Sequence, residues 1–445
     1  MRLRNFICGF MIPCFLSLFF GLTFVNSEAA NRYYDESSVT PDPQPNKMLV
    51  EKIEKKLEEK RKELIELYRD LHRHPEVSGS EERTAKVIAK HLRDLGLEVK
   101  TEIGGHGVIG ILEGAEPGPV VAYRADMDAI STNASDPVSF RSETPGVRHI
   151  CGHDLHMTVA LGIAEALASV REELSGTVKF IFQPSEETAE GAKAMIAEGV
   201  LENPDPEAIL AVHCAPLEVG QIGSVEGMLL PGLDMIQVTI EGKGDLQESA
   251  AAIAGVISGI STVSFADIQE MEFGPSSEQE SVQNDFIFAV VIGSEENPKK
   301  NQWILNAAAR TSSEEKSATA KKNIQAGIEK LNLPSISYQI DYSNAVVPAV
   351  MNDPALVRGA LDTIRSLQGE EGLIIVEQVP PFFGEDFAFY LQKIPGAMYW
   401  LGVSNAKKEI LGLPHHPLFA VDEEAIFVGS KTMAAVLLHY LETLK

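Results

Sequence analysis

The sequence predicts an α/β protein: a mixed, mainly parallel sheet with helices on both faces, interrupted by a smaller α+β unit. Three observations carry that expectation. Short apolar runs at 120–124, 178–182, 208–212 and 397–403 alternate with helical periodicities, the pattern of strands covered on both faces. Near Asp234 the character changes, and residues 235–241 alternate polar with apolar as a half-exposed strand does. From Pro348 onward the strand–helix alternation returns. A length of 445 residues suits this two-domain plan and buries sizeable cores without disulfide or metal staples.

Residues 1–30 precede the fold. Arg2 and Arg4 stand before an apolar run at 6–25, and small residues follow at Ser27, Ala29 and Ala30. A charged start, an apolar stretch and a small-residue cleavage zone make an export leader. Its alternative is an uncleaved anchor, since about 20 apolar residues span a bilayer. Both readings place the body outside the cytoplasm, in a periplasm or secreted. Residues 31–47 read as a polar tether stiffened by Pro41, Pro43 and Pro45.

The body starts with an amphipathic helix over 48–71, with Leu49, Ile53, Leu57, Leu64, Leu67 and Leu71 on one face. It stops before His74-Pro75, because the residue preceding a proline is pushed out of the helical region. A helix over 82–95 ends at Gly96. Strands follow at 97–103, 108–112 and 120–124, then a helix at 155–174, a strand at 178–182, a helix at 191–198 and a strand at 208–212. The inserted unit, 235–345, reads as strand 235–241, helix 250–263, strand 286–292, helix 316–331 and strand 335–341. The second half of the larger domain, 346–445, reads as helix 354–367, strand 373–376, helix 385–393, strand 397–403 and helix 423–441. Its first half spans 48–234.

A net charge of −26 argues against nucleic acid, which needs a basic face for its phosphates, and against anionic lipid. Four cysteines in this length are no disulfide framework. Two of them, Cys8 and Cys14, lie in the leader. HExxH, P-loop and GxSxG motifs are absent, and the GxGxxG match at 105–110 is followed by a strand instead of the helix that dinucleotide binding requires. Asn133-Ala134-Ser135 is a glycosylation sequon in a eukaryotic secretory pathway.

Four clusters carry chemistry. Cys151-Gly152-His153-Asp154-Leu155-His156 precedes a helix; a thiolate and an imidazole two apart reach one metal ion, or the cysteine is a buried structural one. Asp154 either caps the helix or orients a ligand. Gln183-Pro184-Ser185-Glu186-Glu187 follows an interior strand, where open α/β sheets place their sites. One of its carboxylates suits a metal and the other a proton transfer, the bland reading being a solvated pair. His213 ends the strand 208–212, as a ligand or as a structural histidine. His415-His416-Pro417 lies before the last helix, as a ligand stretch or as a surface histidine pair. Together Cys, His, Glu, His and His are too many for one closed tetrahedral site and suit two ions about 3.5–4 Å apart sharing a water.

These stretches, with Leu71-His72-Arg73-His74-Pro75-Glu76, Tyr123-Arg124-Ala125-Asp126-Met127-Asp128-Ala129, Ala211-Val212-His213 and Gly384-Glu385-Asp386-Phe387, resemble the two-metal amidohydrolases of the aminoacylase and glutamate-carboxypeptidase superfamily. The branch is that of hippuricases, N-acyl-amino-acid amidohydrolases and plant indole-acetyl-amino-acid hydrolases. The resemblance implies a zinc-peptidase-like fold with a lid or dimerisation domain, hence a homodimer through the lid. It implies metal ligands Cys151, His153, Glu187, His213 and His415, with Glu186 as the general base toward a metal-bridging water. Asp126 would support the site beside the metals, and Arg124 stands where the wider superfamily has a metal-binding histidine. Two divalent ions are implied; Zn fits cysteine and histidine, while Mn, Co and Ni are alternatives. If Cys151 is a ligand, Cys214 lacks a disulfide partner.

The lid departs from the family. Its usual Gly-Gly-His-Gly-Ala stretch, whose histidine helps bind the substrate or the oxyanion, reads Gly242-Lys243-Gly244-Asp245-Leu246, and no histidine lies between His213 and His415. The lid's Asn-x-Ile-Pro pattern is blurred to Asn297-Pro298-Lys299-Lys300, and Arg310 falls where the family's lid arginine clamps a substrate carboxylate, so the resemblance implies Asn297 and Arg310 as substrate-binding residues. Two functions follow. The first is hydrolysis of the amide of an N-acyl-amino acid or small peptide. The alternative is a metal-bearing binding protein with weak or no turnover.

Overall fold

The computed structural model describes residues 45–265, 267, 285–342, 347–376 and 383–444. The leader, most of the tether and the expected boundary at 345/346 lie outside them. Among the described residues no helix is long and apolar enough to cross a membrane.

The strands in chain order are β1 (Glu98–Ile103), β2 (Gly107–Glu113), β3 (Glu116–Asp126), β4 (Ile130–Ser131), β5 (Val147–Arg148), β6 (Ser175–Gln183), β7 (Ala208–Glu218) and β8 (Ile222–Ser224). They continue as β9 (Gly227–Leu230), β10 (Gly232–Gly242), β11 (Ile287–Asn297), β12 (Gln302–Thr311), β13 (Ile336–Asp341), β14 (Val350–Asn352), β15 (Leu373–Ile375) and β16 (Gly396–Ser404). Eight of them form one sheet in the order β1-β2-β6-β3-β7-β16-β8-β15. Its centre, β6-β3-β7-β16, is parallel throughout, and antiparallel pairs flank it. The α/β expectation holds.

The pleat explains why the central strands are apolar on both sides. Val121 and Tyr123 enter one core with Val178 and Phe180, while Ala122 enters the other with Ile181, Ile209 and Met195. Each large side chain so buried contributes roughly 1.5–3 kcal/mol of transfer free energy. On the first face, helices Lys47–Arg73 and Glu424–Thr443 enclose the helix His153–Ala168, of which every residue from His153 to Leu167 is buried. That helix therefore holds its N-terminal residues in a fixed place against the sheet. The other face is covered by the short helices Gly191–Ala197 and Ala388–Leu391.

A separate antiparallel sheet, β11-β12-β10-β13, carries helices Leu246–Gly259 and Glu314–Lys330 over its own core of Ile236, Val238, Ile253, Leu305 and Ile324. Strand β12 was not anticipated. Its inward residues Leu305, Ala307 and Ala309 alternate, but alanines and a leucine carry little strand signal.

Three expected elements differ in extent. The helix expected over 155–174 ends at Ala168, because the carbonyls of Arg171 and Leu174 accept the N–H groups of Ala115 and Glu116 and pin that turn to β3. The helix expected over 385–393 is only Ala388–Leu391, since Glu385 and Asp386 turn inward toward Arg124. Strand β7 runs to Glu218 instead of stopping at 212, paired in parallel with β16.

Behind the Cys151 loop, buried His72 sits between two carboxylates. Its Nδ1 is 2.6 Å from Asp154 Oδ2 and its Nε2 is 2.9 Å from Asp136 Oδ2. The rings of Tyr68 and Phe140 pack against it, and His149 and Arg148 are charged or titratable neighbours of the same group. Burial opposes its protonation, but the hydrogen bonds of Asp136 and Asp154 outweigh burial and raise its pKa from 6.5 to about 9. A pKa raised in the folded state stabilises fully below the unfolded value and is lost as pH rises through the folded one. Denaturant titrations should therefore lose on the order of a few kcal/mol between pH 6 and pH 10. The loss should shrink in His72→Gln; an unchanged pH dependence in that variant would refute the assignment.

Candidate metal centre

The site lies at the carboxyl ends of β3 and β6 and beside the middle of β7, on the side where the strands of an open α/β sheet leave a crevice. Register sets the levels: Asp126 pairs with Gln183, and His213 with Trp400. His213 thus lies inside β7 and not at its end. The chain beyond β6 turns sharply, with Ser185 and Ala189 at positive φ, so that Glu186 and Glu187 face the crevice. Cys151 sits in the loop before the buried helix, whose N-cap is Gly152 at φ 92°. A β-carbon there would meet Cys214 Sγ at 2.6 Å, so only glycine fits. His415 reaches the cluster from the far end of the chain. It too has a positive φ, and its N–H donates to Ile150 O at 2.8 Å.

All five expected ligands converge. His415 Nε2 is 3.1 Å from Cys151 Sγ and 3.6 Å from Glu187 Oε1. His213 Nε2 is 3.4 Å from Cys151 Sγ. His153 Nε2 lies 3.8 Å from both Glu187 Oε1 and Glu186 Oε2. The donors fall into overlapping groups: Cys151 with Glu187 and His415, Cys151 with His153 and His213, and His153 with Glu186 and Glu187. Cys151 belongs to both of the first two groups.

The donor set fits divalent cations on three counts. His213 Nδ1 is 2.9 Å from the carbonyl of Cys214, which can only accept, so Nδ1 carries the proton and Nε2 keeps its lone pair. His153 Nε2 and Glu187 Oε1 are buried with no hydrogen-bond partner. The electrostatics are unbalanced in one sense. Burial, then Glu187, pushes the Cys151 thiol well up, and burial pushes Glu187 up to about 8 against the pull of His153. Burial holds His213 well below 6.5 and takes His415 down to about 4. Added positive charge would relieve the anionic donors and release their protons.

Three side chains that sequence reasoning quoted without a role organise this cluster. Asp128 accepts the N–H of Glu186 at 3.0 Å and of Glu187 at 3.1 Å, and its Oδ1 is 3.3 Å from His153 Nδ1. One carboxylate thus fixes the base candidate and two ligand candidates. His156 Nδ1 is 2.7 Å from Asp126 Oδ1, and its Nε2 accepts the Cys214 N–H. Arg124, fully buried, donates to Asp126, Gln183, Glu385 and Asp386 at 2.6–3.0 Å. Asp126 is therefore a brace between Arg124 and His156, 3.8 Å from His153 Nδ1.

The remaining expectations separate. Asp154 satisfies the Leu155 N–H and braces His72, and no hydrogen bond joins it to a ligand candidate. Cys151 and Cys214 are both buried and free. Arg310 reaches the crevice rim: its Nη1 donates to Phe383 O at 2.7 Å, and the Phe383 ring lies 6.4 Å from that of His415. Asn297 does not join it. The register sets Asn297 opposite Gln302 at the β11–β12 turn and Arg310 opposite Phe288 at the other end, roughly 25 Å away along the strand. Within one chain the two do not form one binding group.

Residues 122–439 match the family model described as Peptidase family M20/M25/M40. The chain is 34% identical over 397 residues to N-acetylcysteine deacetylase of Bacillus subtilis, covering 86% of this chain and 98% of that one. It is 32% identical over 389 residues to IAA-amino acid hydrolase ILR1-like 4 of Arabidopsis thaliana, 86% of each. Among solved structures, the Bacillus subtilis YXEP protein, a dinuclear metal binding peptidase from the M20 family, superposes with a TM-score of 0.71 at 31% identity, covering 86% of this chain and 99% of that one.

Proposed function

This chain belongs to peptidase family M20/M25/M40 and is a metal-dependent amidohydrolase or peptidase, and on that premise we propose that it cleaves the amide bond of N-acyl-amino acids or small peptides. The observation that carries the reading is the convergence of Cys151, His153, Glu187, His213 and His415 on one crevice with Glu186 beside them. These five would hold two divalent ions, and a thiolate with imidazoles would favour Zn over Mn, Co or Ni.

When bound, the ions supply Lewis acidity, polarising the scissile carbonyl and making the attacking water more acidic. Glu186 takes the proton of that water and hands it to the leaving amine. Burial, then the charges of Glu385 and Glu187, shifts its carboxyl upward, the direction that strengthens it as a proton acceptor. Asp128 keeps Glu186 and Glu187 aimed through their own N–H groups. Arg310 takes the substrate carboxylate; burial lowers its pKa to about 10, so it stays cationic at neutral pH.

In this reading 48–234 and 346–445 form the catalytic body and 235–345 the lid, and the edge strand β11 offers a homodimer contact. The leader 1–30 exports the protein and is removed. The mature N-terminus, sequenced from secreted or periplasmic material, checks this; a retained leader in the membrane fraction supports the anchored form.

The test is a panel of N-acyl-amino acids and dipeptides against protein reconstituted with two ions. Turnover is expected, and chelation should bring it to background and lower the melting temperature. At free metal near 100 times Kd the bound ions add about 3 kcal/mol each, which chelation removes. The missing lid histidine favours a second reading, a binding protein. Metal-replete protein that binds acyl-amino acids but turns over none of the panel would establish it.

A further inference from the structure

The geometry points to Arg148 as a positioning residue that latches the turn carrying His415 onto the loop carrying Cys151. Arg148 is 2% exposed, yet no carboxylate takes both arms of its guanidinium. Instead Nη1 donates to Pro417 O at 2.9 Å and Ser135 O at 3.1 Å, and Nη2 donates to Phe419 O. Two of these carbonyls lie two and four residues beyond His415. Their turn is one that a non-glycine residue rarely adopts unaided, since His415 sits at φ 63° and a single backbone bond to Ile150 holds its N–H.

Arg148 is itself held. Its Nε lies 3.5 Å from Asp136 Oδ1, and Asp136 continues through His72 to Asp154, the residue after His153. A run of charged contacts therefore ties the start of the buried helix, and so His153, to the His415 turn. A guanidinium spreads its donors over separate nitrogens and here reaches three carbonyls through Nη1 and Nη2, whereas an ammonium presents all its donors from one nitrogen and does not span the same acceptors. The direct bonds of Arg148 fall on the His415 turn, so it acts more on the group formed by Cys151, Glu187 and His415 than on the group formed by Cys151, His153 and His213.

This rests on reading the cluster as a two-ion centre, and the experiment separates the two claims. Zn(II) is titrated calorimetrically into metal-stripped wild type, Arg148→Lys and Asp136→Asn, with melting curves to confirm folding. Wild type should take up two ions; failure to do so sinks the metal centre itself. Arg148→Lys should keep one ion within about threefold of wild-type affinity and hold the other about 10–100-fold more weakly, the usual loss when a residue supporting a ligand is changed. Asp136→Asn should show the same selective weakening to a smaller extent. Two ions bound as in wild type, or both weakened equally, would overturn the latch. Should Arg148→Lys fail to fold, Asp136→Asn alone decides: no selective weakening refutes the inference.

Discussion

Replacing Glu186 by glutamine is expected to lower turnover of acyl-amino acids by about 10²–10⁴-fold, the range a positioned general base supplies. Glutamine keeps the side chain's volume and the N–H that Asp128 accepts, so the turn stays formed. It removes the acceptor for the water's proton. Cys151, His153, Glu187, His213 and His415 are untouched, so two ions should still bind. The pair of measurements is what discriminates: metal content by elemental analysis, and turnover at saturating substrate. Lost turnover with full metal content supports the assignment. Wild-type turnover would remove Glu186 from the chemistry, and loss of metal would make it a ligand.

The second large effect is on stability. Arg124→Leu should cost about 3–5 kcal/mol, the magnitude found when one partner is removed from a buried ionic network. Asp126, Glu385 and Asp386 have side chains 0–2% exposed and all face this guanidinium. Burial, against the pull of Arg124, leaves Glu385 raised and Asp386 raised to about 7. Without Arg124 the carboxylates become harder to ionise in the folded state. A carboxyl whose folded pKa lies above its unfolded one loses stability as pH rises. The deficit of Arg124→Leu should therefore be smaller at pH 5 than at pH 8. Urea titrations at both pH values test this. A loss under 1 kcal/mol at pH 8, or one that grows toward pH 5, would contradict the account.

Much of the site was legible because its chemistry is written in short contiguous stretches. Cys151 and His153 sit two apart, Glu186 and Glu187 adjoin, and each stretch follows a strand or precedes a helix that local periodicity reveals. Where the signal was weak, so was the reading. Strand β12 was hidden by alanines, and the blurred lid pattern placed Asn297 with Arg310, from which the hairpin register separates it. Asp128, Arg124 and Arg148 were in view as letters, but their roles depend on partners in other segments.

The sequence by itself determined the α/β alternation, the change of character near Asp234, the acidic charge balance and the set of candidate metal-ligating side chains. Those properties follow from residue chemistry and from periodicities of 2 and 3.6 that extend over a few turns. Only the tertiary structure decided that Cys151 meets His415, 264 residues away, and that Asp128 sets both glutamates. It also decided that Arg124 gathers three carboxylates and that Arg148 grips the turn beyond His415. Contacts across such separations are fixed by strand register and by the close packing of a buried helix against the sheet, which no local pattern encodes.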